Sequence, residues 1–238
     1  FASGGKKIST QLRYKNRFHY VPIVSDREID QLFIESDHDK LAVGSPIYRD
    51  KSLLVGKPKL VVHIFVDALA QTILDDLEYS YMPAIKDFFA DGVTFENAFS
   101  QADWTLSSMA GVFTGHYTKD HLNYHPRRAD KLRGQTLAEV ISNSGYLTTM
   151  ISAVPKLTPI NGFDKGFSRC VIAPHKDANY IINEAIEQLD AFDGNQYLFI
   201  GFFDIHEAYT LQPLSSQVKN SLSDLNYRLI SGSKKLEI

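Results

Sequence analysis

The feature that most constrains this chain is the run Leu60-Val-Val-His-Ile-Phe-Val66, which follows Pro58 and Lys59 and is closed by Asp67. A β-branched, nearly unbroken apolar run describes a strand buried on both faces of a parallel sheet, because a strand with one wet face would alternate. Such a strand needs helices to cover it, and the segments that follow read as their source. A helix is expected near Met82 to Ala90 with a stop at Gly92, then a strand near Thr94 to Phe99. A second helix runs from about Leu106 to Phe113 and closes at Gly115. Thr136 to Ser144, stopped by Gly145, reads as helix and Tyr146 to Ser152 as strand; Ala178 to Phe192 is helix again, and Gln196 to Phe203 is a strand ending at Asp204. This alternation predicts an α/β domain whose mostly parallel sheet is sandwiched by helices.

Residues 1–57 have a different texture. They are charged and weakly periodic, with Lys6, Lys7, Arg13, Lys15 and Arg17 followed by Asp26, Glu28, Asp30, Glu35, Asp37 and Asp39. We read them as an N-terminal extension that wraps a neighbour, most simply a solvated arm with short helical pieces and alternatively a basic patch facing substrate or membrane, and 58–238 as the α/β domain. Lys plus Arg is 25 against 28 for Asp plus Glu, a net charge of -3, so no global field draws the chain to nucleic acid or to an anionic surface. Cys170 is the only cysteine, which excludes an internal disulfide framework and every Cys-based zinc cluster. No run approaches the roughly 18 apolar residues of a membrane span, and compartment, membrane association and oligomeric state do not follow from composition. Phe1 at one end and the loop-like Ser231 to Lys235 near the other read as the cut ends of a longer chain.

Ligands of parallel sheets bind outside the carboxyl ends of the strands, which draws attention to Asp67 and Asp204. The segment Asp103-Trp-Thr-Leu-Ser-Ser-Met-Ala-Gly-Val-Phe-Thr-Gly115 sets a hydroxyl, Thr105, at a helix N-terminus. Free N–H groups and the helix dipole there favour an anion and the alkoxide form of the hydroxyl. The structural alternative is an N-cap role for Thr105 or Asp103. Asp67 could likewise cap a turn, Asp204 and His206 could satisfy each other or nearby backbone, and His63 reads as a core histidine. His116, His121 and His125, with Asp120, form the densest histidine patch. They line the mouth of a site, supply extra metal ligands or, the plainer reading, are solvated loop residues; their spacing matches no zinc signature. Lys131 and Arg133, after Arg127 and Arg128, make a basic loop that would attract an anionic substrate or simply face water.

Several segments, in order, resemble the sulfatase family of the alkaline phosphatase superfamily. Lys59-Leu-Val-Val-His-Ile-Phe-Val-Asp67 is similar to its opening strand, which ends in a metal-binding aspartate. Met82-Pro-Ala-Ile-Lys-Asp-Phe-Phe-Ala-Asp-Gly92 matches a proline-led helix and glycine turn, and Trp104 to Gly115 falls where the family carries its nucleophile helix ending in Thr-Gly. Gly145-Tyr-Leu-Thr-Thr149 and Gly162-Phe-Asp-Lys-Gly-Phe167 match two further segments, and Phe203-Asp-Ile-His-Glu-Ala-Tyr209 resembles an Asp-x-His-x-x-Tyr motif. The resemblance implies an alkaline phosphatase/sulfatase-like fold, incomplete at its C-terminus. It implies Thr105 as nucleophile, Asp67 and Thr105 as metal ligands and His206 as a contact to the ester oxyanion, with Asp204, His116, His121 and His125 as site-lining candidates. The implied cofactor is a divalent ion: Ca, Mg, Mn or Zn. The implied partner is a small-molecule, lipid or glycan ester of phosphate or sulfate, not a nucleic acid.

Three departures from the family qualify this. The nucleophile pentapeptide is Thr105-Leu-Ser-Ser-Met109, whereas sulfatases mature a Cys or Ser followed by Pro or Ala and then Arg into formylglycine. Threonine cannot be so converted, and it characterises the phosphoryl-transfer relatives. Ala68 stands where many sulfatases have a second aspartate. The second metal half-site, an Asp-Asn or Asp-His pair on a later strand, has no match before Ile238. The expected enzyme is therefore a phosphate-ester, rather than sulfate-ester, hydrolase or phosphotransferase. The expected behaviour of this chain by itself is weak or absent binding of a divalent ion and no activity. The competing reading is a non-catalytic binding or assembly module on the same scaffold.

Overall fold

The structure, a computed structural model, describes residues 59–72, 82–125 and 131–206, with short pieces of the N-terminal region at 19–21, 23, 32–34 and 42–47. Four strands, β1 (Leu60–Val66), β2 (Leu147–Ser152), β3 (Arg169–Ile172) and β4 (Gln196–Phe202), pair in the order β1-β4-β2-β3. Every pairing is parallel, with Val66 opposite Phe202 and Ser152 opposite both Gly201 and Ile172, so the carboxyl ends of the strands lie level.

Strand periodicity divides the core in two. Met150, Tyr197 and Phe199 point to one face, where they meet Leu106, Met109, Ala110 and Phe113 of helix α2 (Thr105–Thr114) and Ala138 of helix α4 (Leu137–Asn143). Helices α1 (Pro83–Phe88) and α3 (Thr118–His121) flank α2 in sequence. Ile151, Leu198 and Ile200 point to the other face, covered by Ile181 and Ala185 of helix α5 (Ala178–Ala191). Burying each Leu, Ile, Met or Phe side chain among these stabilises the fold by about 1.5–3 kcal/mol against leaving it in water. A capping box starts α4: Glu139 N–H donates to Thr136 Oγ1 and Thr136 N–H to Glu139 Oε2. Gly166, at φ +87°, lets the turn ahead of β3 close on that helix start, where any Cβ would collide with Glu139 backbone. From the N-terminal region, Tyr20 donates to Gln188 Oε1 of α5 at 3.2 Å and packs on the Phe192 ring edge.

Four expectations are corrected. β1 is not buried on both faces; Ile64 is 54% exposed and Leu60, Val61 and Val62 are also exposed, because β4 is its sole strand partner among the described residues. The segment Thr94 to Phe99 forms no strand; it is irregular, and Phe95 and Phe99 lie open to solvent. β3 was not anticipated, since Arg169 breaks its short apolar run; that guanidinium instead donates to Gln188 and Glu184 of α5. α3 and the 3-10 turn Pro159–Asn161 also escape periodicity, being too short to show any. Arg127, Arg128, Glu207 to Tyr209, Ser231 to Lys235 and most of 1–57 lie outside the described residues. No helix among the described residues is long and apolar enough to cross a membrane.

Candidate active site

Asp67 extends β1 by one ladder bond, its N–H donating to the Phe202 carbonyl at 3.0 Å. The chain then turns through Ala68, which takes a left-handed φ of +64° and donates its N–H to Asp67 Oδ1 at 3.1 Å. The carboxylate is thus held at the carboxyl edge of the sheet, with Asp67 only 6% exposed.

Thr105 arrives from α2. The N-cap of that helix is Trp104, which makes no side-chain capping bond, and Ser108 N–H closes the first turn on the Trp104 carbonyl. Neither Asp103 nor Thr105 is the N-cap, and among the described residues the helix start has no side-chain cap for its leading N–H groups. The Thr105 hydroxyl instead donates to the Asp67 carboxylate, at 3.2 Å from Oδ1 and 3.1 Å from Oδ2. Burial pushes the Asp67 pKa above the ordinary carboxylate value, opposed by the Thr105 hydrogen bond, the charge of His206 and the Ala68 N–H.

His206 sits in the turn after β4, with its N–H on the Phe203 carbonyl at 3.2 Å. Its imidazole stacks on the Phe203 ring at a centroid distance of 4.3 Å and an interplanar angle of 19°. Asp67 and His206 follow the level carboxyl ends of the adjacent parallel strands β1 and β4, which sets the imidazole and the carboxylate at one corner of the sheet, and the His206 charge is among those that act on Asp67. His175 meets the same Phe203 ring edge-on at 5.2 Å, from a left-handed backbone conformation at φ +62°. No sequence signal marks His175, and Phe203 could be noticed only as the neighbour of a motif.

Asp204 does not orient His206. Its Oδ1 accepts the Ala178 N–H at 2.8 Å, the first residue of α5, beside the N-cap Asp177, whose carboxylate accepts Tyr180 N–H. A carboxylate is drawn there by the orphan donors and positive end of the helix. The histidine patch also divides. His121 is fully buried rather than solvated, its Nδ1 accepting Asn123 N–H at 3.0 Å; burial lowers its pKa, with His116 adding to the effect and Asp120 opposing it. His116 packs over Gly134, and His125 is exposed. None of the three figures among the groups acting on Asp67. His63 pairs with the Tyr197 hydroxyl at 3.2 Å and with the Phe199 ring edge, as a core histidine does.

A divalent ion of this chemistry takes about six oxygen ligands. Asp67 and Thr105 are hard donors, but among the described residues no group of three or more His, Cys, Asp or Glu is placed to hold a metal. The residues described here do not by themselves fit such an ion.

The sulfatase family model matches residues 59–221. No curated protein matches the sequence. A structure solved in complex with its substrate D-glucosamine-2-N,6-O-disulfate has a similar fold, with a TM-score of 0.58 at 15% identity, over 73% of this chain and 39% of that one. A protein of the alkaline phosphatase superfamily from Vibrio parahaemolyticus is similar at a TM-score of 0.50 and 17% identity, over 68% of this chain and 44% of that one. The chain therefore spans less than half the length of either structure, and at these identities the likeness is one of fold.

Proposed function

This chain belongs to the sulfatase family, and from that premise we propose that it acts on phosphate esters, rather than sulfate esters, as a hydrolase or phosphotransferase with Thr105 as the nucleophile. The observation that carries the reading is the Thr105 hydroxyl donating to both oxygens of a buried carboxylate, at a helix start with no side-chain cap. Membership of the family implies a divalent ion; with too few donors among the described residues, no step below is routed through one.

In the proposed reaction, Thr105 Oγ1 attacks phosphorus while its proton passes to Asp67, whose raised pKa makes it a better base than a solvated carboxylate. The bond from phosphorus to the leaving oxygen breaks as the Thr105 oxygen–phosphorus bond forms. The N–H groups at the start of α2 face developing negative charge, and His206, donating from one ring nitrogen, stabilises that charge or the departing alkoxide. Water or an acceptor alcohol then releases the phosphoryl group from Thr105. A fold relative solved with a sulfated glucosamine as its substrate is a precedent for a small anionic ester. Phosphate is preferred because Thr105 stands where formylglycine would be needed for sulfatase chemistry.

The test is to mix a longer chain, extended past Ile238, with p-nitrophenyl phosphate and p-nitrophenyl sulfate across Mn, Mg, Zn and Ca, and to follow the intact mass, with the 238-residue chain, expected to be inactive, beside it. A phosphoryl adduct confined to Thr105, with turnover lost by about 10⁴-fold or more in Thr105→Val, is the expected result. A folded longer chain that forms no adduct and turns over neither ester with any metal would favour the second reading, a non-catalytic module on the same scaffold.

A further inference from the structure

We propose that Phe203 is a positioning residue: its ring is the platform that holds the His206 imidazole at the Asp67–Thr105 corner. This rests on the reading of His206 as a site residue and goes beyond it. His206 follows Ile205, an exposed residue, in a turn closed by its own N–H on the Phe203 carbonyl. That short turn brings residue 206 back over the side chain of residue 203, and the two rings lie nearly parallel, face over face, with centroids 4.3 Å apart. Stacking constrains the plane of the imidazole, which one hydrogen bond would leave free to rotate about the bond axis.

The platform is itself fixed. Phe203 ends the apolar run of β4 and packs against both halves of the core, on either side of the sheet. The His175 ring closes its edge at 5.2 Å and 75°, and His175 is held by its N–H on the Ala153 carbonyl at 3.0 Å beyond the end of β2. The imidazole plane is thereby tied to the sheet that also carries Asp67. Asp204, which motif reading would make the orienting group, is committed to the start of α5. A small misplacement of a group acting on transition-state charge lowers turnover steeply, so holding this ring matters to rate more than to substrate affinity.

The experiment reads the stack directly, by nuclear magnetic resonance of the His206 ring protons at one fixed pH, assigned by their loss in His206→Gln. In the unmodified protein they are expected upfield of an unstacked imidazole, because they lie over the face of an aromatic ring. Phe203→Leu should return them to the unstacked position while the methyl resonances of buried Leu147, at the opposite end of β2, stay in place, and Phe203→Tyr should restore the shift. In the chain extended past Ile238, turnover of p-nitrophenyl phosphate should fall about tenfold in Phe203→Leu with KM unchanged and recover in Phe203→Tyr. Unshifted ring protons in the unmodified protein, or a shift that survives Phe203→Leu, would overturn the proposal. Should the leucine variant not fold, Phe203→Trp decides, because its larger ring current must move the His206 resonances and unmoved resonances count against the stack. Unchanged turnover in His206→Gln would remove the catalytic reading and leave the stacking result standing, so the two failures are distinguishable.

Discussion

β1 and β2 flank the same strand, β4, in matching register, and both are apolar and parallel. β2 is buried at every position, with β3 beyond it and helices over both faces, whereas β1 exposes most of its length and has no partner on its outer edge among the described residues. The strand that contributes least to the core is the one that ends in the buried carboxylate facing Thr105. Burial and function are thus distributed unevenly over one sheet: β2 supplies packing, and β1 supplies a charged group at a corner.

The largest effect expected from this contrast is in packing. Met150→Ala in β2 removes a fully buried side chain and should cost about 2–5 kcal/mol in urea unfolding. Ile64→Ala in β1 should cost less than about 1 kcal/mol, since half of that side chain already meets water. Equal losses would mean that β1 is covered in solution, and the comparison would fail.

Asp67→Asn sharpens the contrast from the other side. Burial raises the Asp67 pKa, so in the window between its unfolded and folded values the native state holds more protons than the unfolded one. Stability then falls as pH rises through that window and stays lower above it. The asparagine variant keeps an acceptor for Thr105 without the charge, so it should melt a few degrees higher at pH 7. That advantage should vanish as pH drops below the ordinary carboxylate range. A variant that melts lower at neutral pH would show that the charge is already compensated.

His63 gives a smaller effect of opposite sign. Burial lowers its pKa, so as pH falls below about 6.5 the unfolded chain takes up a proton that the native state resists, and stability is lost. His63→Leu should flatten thermal melts between pH 7 and 5, leaving the part due to buried His121, whose pKa is lowered as well. The smallest effect belongs to the far edge of the sheet. Burial, with Asp164 adding to it, pushes the Cys170 thiol on β3 up to about 12, so a thiol reagent at pH 7 should react with it far more slowly in the native protein than in the chain unfolded in urea. Prompt reaction in the native protein would mean that β3 is as open as β1.

The alternation of elements was legible in the sequence wherever a periodic run was long: β1, β2, β4, α2, α4 and α5 all declare themselves through apolar spacing and glycine stops. β3, α3 and the 3-10 turn do not, because four residues or fewer carry no measurable period. Thr94 to Phe99 has a strand's composition and no strand's place. The sheet ladder, not local propensity, decides whether such a segment pairs.

The site divides along the same line. Asp67 stands out as the polar residue that stops an apolar strand, and Thr105 as the hydroxyl that opens an apolar helix, and both facts are local. That the Thr105 hydroxyl hydrogen-bonds Asp67 instead of capping α2, that Asp204 Oδ1 serves α5, that His121 is buried and that Phe203 lies beneath His206 are all tertiary facts. Sequence by itself determined which residues could carry charge or a hydroxyl at the ends of regular elements, because capping and apolar periodicity act over a few residues. Which of those groups meet was decided only when the parallel register brought the ends of β1 and β4 level and set the start of α2 against them, since contacts between residues 38 positions apart, as Thr105 and Asp67 are, depend on the path of the whole chain.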